Sequence, residues 1–302
     1  MLNTAIESQK RTSNDDDKFS ILIPSWNNLN YLKLCIESIR KNSFFKHQII
    51  VHINCGDDGT LEWIKEQSSI DYTYSSENVG VCYALNASSQ LAHTDYILFI
   101  NDDMYVCPEW DLALWEEIVQ IGHPLFFLSA TAIEPKASSI CSIEKNYGTD
   151  VSNFDENRLL AEFTQFEKAD WNGATWPPNI VHKKLWNLVG GYSIEFSPGM
   201  YSDPDFSMKL WLAGVRLFKG VSRSRVYHFG SVSVKRVKKN AGYYQFISKW
   251  GITSGTFTNA VLKRGRDFKG LLAAPRMSWA LRTKGVYKQV VSLFNRPDFK
   301  QF

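Results

Sequence analysis

The 302-residue chain has no apolar run approaching the roughly 18–20 residues that a helix needs to cross a bilayer, so it does not read as a helical membrane protein. Residues 1–18 are polar, lack an apolar stretch and end in Asn14-Asp15-Asp16-Asp17-Lys18, which excludes a signal peptide there and predicts a flexible N-terminus. Cysteine is scarce. Its five copies, Cys35, Cys55, Cys82, Cys107 and Cys141, are odd in number, widely spaced and without a CxxC pair. That pattern argues against a disulfide framework or a zinc ribbon and predicts a reducing, cytoplasmic setting. No GxGxxG or GxxxxGK[ST] occurs, which excludes the dinucleotide fingerprint and the P-loop, and no HExxH or Ser-His-Asp arrangement is evident. RNP, helix-turn-helix and zinc-finger patterns are also missing, so no nucleic-acid partner is expected.

What the chain does have is 44% hydrophobic against 22% charged residues, enough for a buried core and incompatible with wholesale disorder. Aromatic residues reach 14%, which suggests rings presented to a ligand or an interface as well as to the core. The net charge of +3 conceals an asymmetry: residues 235–302 hold 15 Lys or Arg against Asp267 and Asp298, leaving 19 basic and 29 acidic residues in 1–234. An acidic body and a basic, aromatic tail suggest two jobs. Within the tail, residues 271–294 predict short helices, apolar on one side and basic on the other, broken at Pro275 and Gly285. Such a segment suits a membrane interface, or a helical subdomain whose basic side is simply solvated.

Short apolar runs at residues 19–24, 48–53, 72–74, 95–101 and 125–132 predict strands, the first stopped by Pro24. Helical spacing intervenes, with Leu32, Cys35, Ile36 and Ile39 on one face, and again over 59–67, 81–91 and 109–121. Residues 133–179 look irregular. Periodicity returns as helices over 181–189 and 206–213, with two short strands at 215–219 and 225–227. This alternation predicts an α/β fold around a mainly parallel sheet, in which ligands bind beyond the carboxyl ends of the strands.

Four polar clusters follow four of those strands: Ser25-Trp26-Asn27-Asn28, Asn54-Cys55-Gly56-Asp57-Asp58-Gly59-Thr60, Glu77-Asn78-Val79-Gly80 and Asn101-Asp102-Asp103. Paired carboxylates at the end of an apolar strand can hold a hard divalent ion shared with substrate phosphates, although Asn and Asp also favour plain turns. In Ser202-Asp203-Pro204-Asp205 the aspartates suit a helix N-terminus as Asp203 N-cap and Asp205 in the first turn. An aspartate so placed can also face an open site and take a proton from a hydroxyl. His228 follows a short strand. A lone histidine is more commonly structural than a ligand, so its candidacy rests on partners elsewhere in the chain.

In this order the signals resemble the GT-A inverting glycosyltransferases of family 2, over about residues 19–231. The resemblance implies a single GT-A domain with a mainly parallel, Rossmann-like sheet over residues 19–234. Residues 19–104 would form its nucleotide-sugar half and 105–234 its acceptor half. A basic, mostly helical extension over 235–302 would follow. It implies Asp203 as catalytic base, and Asp103 with His228 as ligands of Mn²⁺ or Mg²⁺. Asn101 and Asp102 would contact the ribose or pyrophosphate. Pro24, Trp26 and Asn27 would flank the base, with Asn78 and Gly80 lining the nucleotide pocket. Trp171, Asn172, Tyr201 and Asp205 are the acceptor-side candidates, with Trp176 beside them. The chain departs from the family in having Ile53-Asn54 where an acidic pair commonly reads uracil, Leu85 where many members carry Arg, and Asn101 and Ser202 for acidic residues. Asn54 is then the candidate for the base contact. The implied partners are a nucleotide-diphospho-sugar, with a UDP-sugar slightly favoured, and a saccharide or lipid-linked saccharide acceptor. An anionic membrane surface would meet residues 235–302, peripherally on the inner face. A non-catalytic carbohydrate- or nucleotide-binding module is the alternative; a nucleotidyltransferase fits less well because residues 25–30 contain no glycine.

Overall fold

The computed structural model describes residues 5–11, 14–230, 242–275 and 279–295, so Lys235–Lys239 of the basic tail lie outside the described residues. The N-terminal half runs β1 (Glu7–Gln9), β2 (Ser20–Trp26), α1 (Leu29–Asn42), β3 (Gln48–Asn54), α2 (Thr60–Glu66), β4 (Asp71–Ser75), α3 (Gly80–Ser89) and β5 (Tyr96–Phe99). Strands β4, β3, β2 and β5 lie side by side and parallel, with β1 antiparallel on the outer edge of β4. Both faces of this sheet are covered, which is why its strands are apolar without alternation. Ile21 and Ile23 pack with Leu32, Cys35, Ile36 and Ile39 of α1, while Leu22 packs on the other face with Cys82 and Leu85 of α3.

The expected stop at Pro24 does not occur; β2 continues to Trp26. The Leu22 carbonyl accepts from the Ile100 amide at 3.1 Å on the β5 side. Pro24, two residues on, is turned the same way, but β5 has already ended at Phe99 and there is no ladder bond for proline to lose. The extension brings Trp26 opposite Asn54, and Asn54 opposite Ser75, so three strand ends form one rim.

The second half continues with β6 (Met104–Val106), α4 (Trp110–Ile121), β7 (Phe126–Glu134), β8 (Ile143–Glu144), α5 (Glu156–Glu162), β9 (Trp171–Asn172), β10 (Asn179–His182), α6 (Lys183–Val189), α7 (Ser202–Leu212) and β11 (Leu217–His228). The main sheet reads β1-β4-β3-β2-β5-β10-β7-β11-β6. Strands β7 and β11 are parallel, whereas β10 is antiparallel to both β5 and β7. Two expectations change. Val181 and His182 belong to β10, and the helix starts at Lys183, where the His182 ring nitrogen accepts from the Lys184 amide at 3.1 Å. The two short strands after residue 215 are one strand, irregular between Val221 and Arg225. The stretch that looked irregular holds β8, α5 and β9, partly packed over buried Tyr105, Tyr147, Tyr227 and Phe229.

The C-terminal part forms α8 (Gly242–Trp250), α9 (Ser254–Thr256) and α10 (Trp279–Phe294). Phe246, Phe257, Val261, Leu262 and Leu272 join Phe206, Leu210 and Phe218 in one buried cluster, so this segment completes the core under α7. Gly285 does not break α10. It lies against the Gly251 carbonyl, whose oxygen would sit 2.9 Å from an added Cβ, so the glycine permits close packing of the helix on its neighbour. Among the described residues no helix is long and apolar enough to cross a membrane.

Candidate active site

Beyond the carboxyl ends of β2, β3, β5 and β7 lies a cavity of about 670 Å³. Pro24, Trp26, Asn54, Asn78 and Gly80 line one wall, on the N-terminal half, and Asn101, Asp102 and Asp103 its base. The Asn54 side-chain oxygen accepts from the Val79 amide at 2.9 Å and so ties the end of β3 to the start of α3. Gly80 has φ +78°, and an added Cβ would stand 2.6 Å from Pro198 Cα. Only glycine permits that approach, which is sealed by the Val81 amide donating to the Pro198 carbonyl at 3.0 Å. The contact brings the loop before α7 onto the N-terminal half. Asn27 is not in the cavity wall. Its side-chain oxygen accepts from the Gly56 and Asp57 amides at 2.9 and 3.0 Å and braces the turn after β3.

Asp102 and Asp103 are buried. Ser25 Oγ donates to Asp102 Oδ2 at 2.7 Å. Asp103 Oδ1 lies 3.5 Å from His228 Nε2, and His228 Nδ1 lies 2.8 Å from Glu134 Oε1. Glu134 also accepts from the Ser138 amide at 2.8 Å and from its hydroxyl. Burial opposes ionisation of Glu134, yet the bonds from His228 and Ser138 hold its carboxyl down at about 2. Burial likewise opposes charge on His228, but Asp103 and Glu134 raise it to about 10. The strand pairing explains the convergence: β11 ends at His228 opposite Met104 in β6, and alongside the end of β7.

Asp103 and His228 are two donors that could hold a divalent ion only with ligand oxygens completing it. Asp103 and His228 converge on the cavity, and Glu134 grips the far nitrogen of the imidazole as an outer carboxylate does for a metal-bound histidine. Among the described residues no group of three or more His, Cys, Asp or Glu is arranged to hold a metal ion. Further ligands of an ion there would have to be water and substrate oxygens.

Asp203 lies in the first turn of α7, which starts at Ser202 after Tyr201 at φ +70°; the residue is therefore not the N-cap. Its carboxylate lines the cavity and accepts from the Tyr192 hydroxyl at 3.2 Å. Enclosure by protein raises Asp203 to about 7, against the opposing pull of the Tyr192 hydroxyl. Trp171 and Tyr201 also line the cavity. Asp205 and Asn172 do not. Asp205 is fully buried, accepting from Trp250 Nε1 at 2.8 Å and pairing with Lys249 Nζ at 2.9 Å. Asn172 donates to the Asp267 carbonyl at 2.9 Å.

Sequence reasoning missed Ser25, Glu134, Tyr192 and Arg264. Glu134 was findable as a strand-end acid once β7 is carried two residues past Ala132. Tyr192 and Arg264 carry no local signal; their places depend on packing of loops far apart in the chain.

A parallel α/β half-sheet, acidic strand ends and a facing helix-borne aspartate define the class as a GT-A-type glycosyltransferase fold. The sequence profile of Glycosyl transferase family 2 matches residues 20–189, more than half of the chain, and the chain belongs to that family. It is 28% identical over 108 residues to glycosyltransferase GlyA of Streptococcus pneumoniae, covering 35% of this chain and 16% of that protein. Over 246 residues it is 23% identical to the hyaluronan synthase of Pasteurella multocida, covering 78% of this chain and 23% of the synthase. The chain thus spans about a sixth to a quarter of the length of these relatives. The structure of S. aureus TarS 1–349 in complex with UDP-GlcNAc superimposes with a TM-score of 0.56 at 14% identity, covering 92% of this chain and 73% of that one.

Proposed function

We propose that the protein transfers a sugar from a nucleotide-diphospho-sugar to an acceptor hydroxyl in one displacement that inverts the anomeric centre. The observation that carries this reading is a single cavity holding Asp103 beside His228 and, separately, Asp203 on α7. Asp203, at about 7, is poised to accept a hydroxyl proton near neutral pH. Tyr192 orients its carboxylate through Oδ1. As the hydroxyl attacks, the anomeric carbon becomes oxocarbenium-like and the bond to the diphosphate breaks. Mn²⁺ or Mg²⁺ held by Asp103 and His228 would supply charge neutralisation for the leaving diphosphate. Ser25 fixes Asp102 for contact with the nucleotide, and Trp26, Asn54 and Asn78 wall the pocket for the base. A UDP-sugar donor is supported by the UDP-GlcNAc complex of the TarS fragment, and a saccharide acceptor in polysaccharide or glycolipid assembly by the synthase relative.

The helix α10 supports docking on an anionic membrane. It leaves Trp279 and Phe294 exposed at 83% and 84%, with Val286, Tyr287, Val290 and Leu293 also exposed. These residues recur at helical spacing in a segment whose charge is strongly positive, the combination that lies in a lipid interface. The five cysteines are all free, which suits the cytoplasmic face.

A thermal-shift panel of UDP, GDP, dTDP and CMP, each with and without Mn²⁺, tests the donor site. Saturation at about 100 times Kd stabilises by about 2.7 kcal/mol. A metal-dependent shift with UDP is expected; no shift with any nucleotide sinks the reading. Binding without release of nucleoside diphosphate from any nucleotide sugar would mean a binding module.

A further inference from the structure

Among the described residues, one basic side chain in the cavity wall makes no hydrogen bond or ion pair through its guanidinium. Arg264 comes from the segment after α9, and its guanidinium stacks 4.5 Å from the Trp176 ring centroid. Its backbone is pinned. The Arg264 amide donates to the Thr258 carbonyl at 2.9 Å, and Gly173 approaches so closely that an added Cβ would stand 2.6 Å from Arg264 Cα. Yet Nε is buried without a hydrogen-bond partner, and among the described residues no carboxylate lies within ion-pair distance. Of the 31 acidic residues only Asp298 lies outside the described part of the chain. The comparison with other part-buried arginines is direct. Arg216 donates to the Trp211 and Val215 carbonyls at 2.7 and 2.8 Å, and the more deeply buried Arg225 donates to the Phe166 carbonyl at 2.9 Å although its Nη1 lacks a partner; Arg264 makes no such side-chain bond. A half-buried cation without such contacts is under-satisfied, and a ligand anion in the cavity can complete it.

The surroundings suit a charged saccharide. Trp176 offers a ring beside the guanidinium fork, which matches a carboxylate or phosphate in bidentate geometry. Ser139 Oγ accepts from the Cys141 amide at 3.1 Å, so its proton is available to a ligand in the same cavity. We propose that Arg264 reads an anionic substituent, a carboxylate or a phosphate, on a saccharide bound in this cavity and makes the site selective for charged over neutral saccharides. This rests on the transferase reading but assigns the arginine to a group other than the donor diphosphate.

The test is calorimetric titration of glucuronate, glycerol 3-phosphate and glucose into the full-length protein saturated with UDP and Mn²⁺, so that the diphosphate position is already filled. Wild type should prefer one of the anions to glucose by about tenfold or more, the scale of a charge-assisted hydrogen bond. Preference for glucuronate identifies a carboxylate, and for glycerol 3-phosphate a phosphate. Arg264→Gln should abolish the preference and Arg264→Lys retain part of it, with UDP affinity within twofold of wild type in both. Equal binding of all three probes to wild type overturns the proposal without recourse to any variant. So does an Arg264→Gln protein that loses UDP affinity by the same factor, which would return the arginine to the donor. Failure of wild type to bind UDP would instead count against the transferase reading.

Discussion

At the residue scale, Asp203 is held at odds with its own stability. A carboxyl raised from 3.8 to about 7 favours the neutral form in the fold, so its stabilising contribution is fully present below about pH 4 and is lost as pH rises through 7. Asp203→Asn removes that ionisation penalty. The variant should be more stable than wild type at pH 8, by up to about 4 kcal/mol, with the difference gone by pH 4 in the same melting assay. Its turnover should fall by about 10²–10⁴, and wild-type turnover should rise with pH through about 7. An Asp203→Asn protein with near-normal turnover would remove the residue from the role of base. Glu134 acts through His228 instead. Glu134→Gln keeps the shape but loses the charge that grips Nδ1, and should weaken Mn²⁺-dependent UDP binding by about 10–100-fold while metal-free UDP binding is unchanged. Loss of both together would make Glu134 a purely structural residue.

Elements decide where these side chains arrive. The strand β10 enters antiparallel between β5 and β7 and carries Trp176 and Pro177, just before it, to the cavity. Trp171 of β9, which pairs with β11, lies across Gly220, where an added Cβ would come within 1.8 Å of the indole, whose Nε1 donates to Thr131 Oγ1 at 3.0 Å. Gly220→Ala should displace that ring and destabilise the fold by about 1–3 kcal/mol, measured by urea denaturation. Unchanged stability would mean that the Trp171 wall is loose. The strands of the N-terminal half were legible because a sheet covered on both faces needs unbroken apolar runs. β10 was not, because its four residues merge into the helical spacing that follows. Gly285 read as a helix breaker because its backbone propensity is poor, and the close approach to Gly251 overrides it.

For the whole molecule, two buried clusters lie on opposite faces of the sheet, and the second is completed by residues far beyond α7. Truncation after residue 241 would strip Phe246, Phe257 and Leu262 from that cluster, and should give a protein without a cooperative melting transition. Truncation after residue 275 spares those contacts. It should leave UDP binding intact and abolish sedimentation with anionic vesicles, and undiminished sedimentation would sink the role of α10.

The sequence alone determined the α/β alternation and the acidic strand ends, because these depend on local periodicity and on residue types that few other positions tolerate. The tertiary structure decided which of the candidates share a cavity. Asn27, Asn172 and Asp205 turn into internal bonds, while Ser25, Glu134 and Arg264 reach the cavity through contacts between segments remote in the chain, and Tyr192 is tied to distant Asn86 while it holds Asp203. A side chain's partners at long range are set by packing and register, which no local pattern encodes.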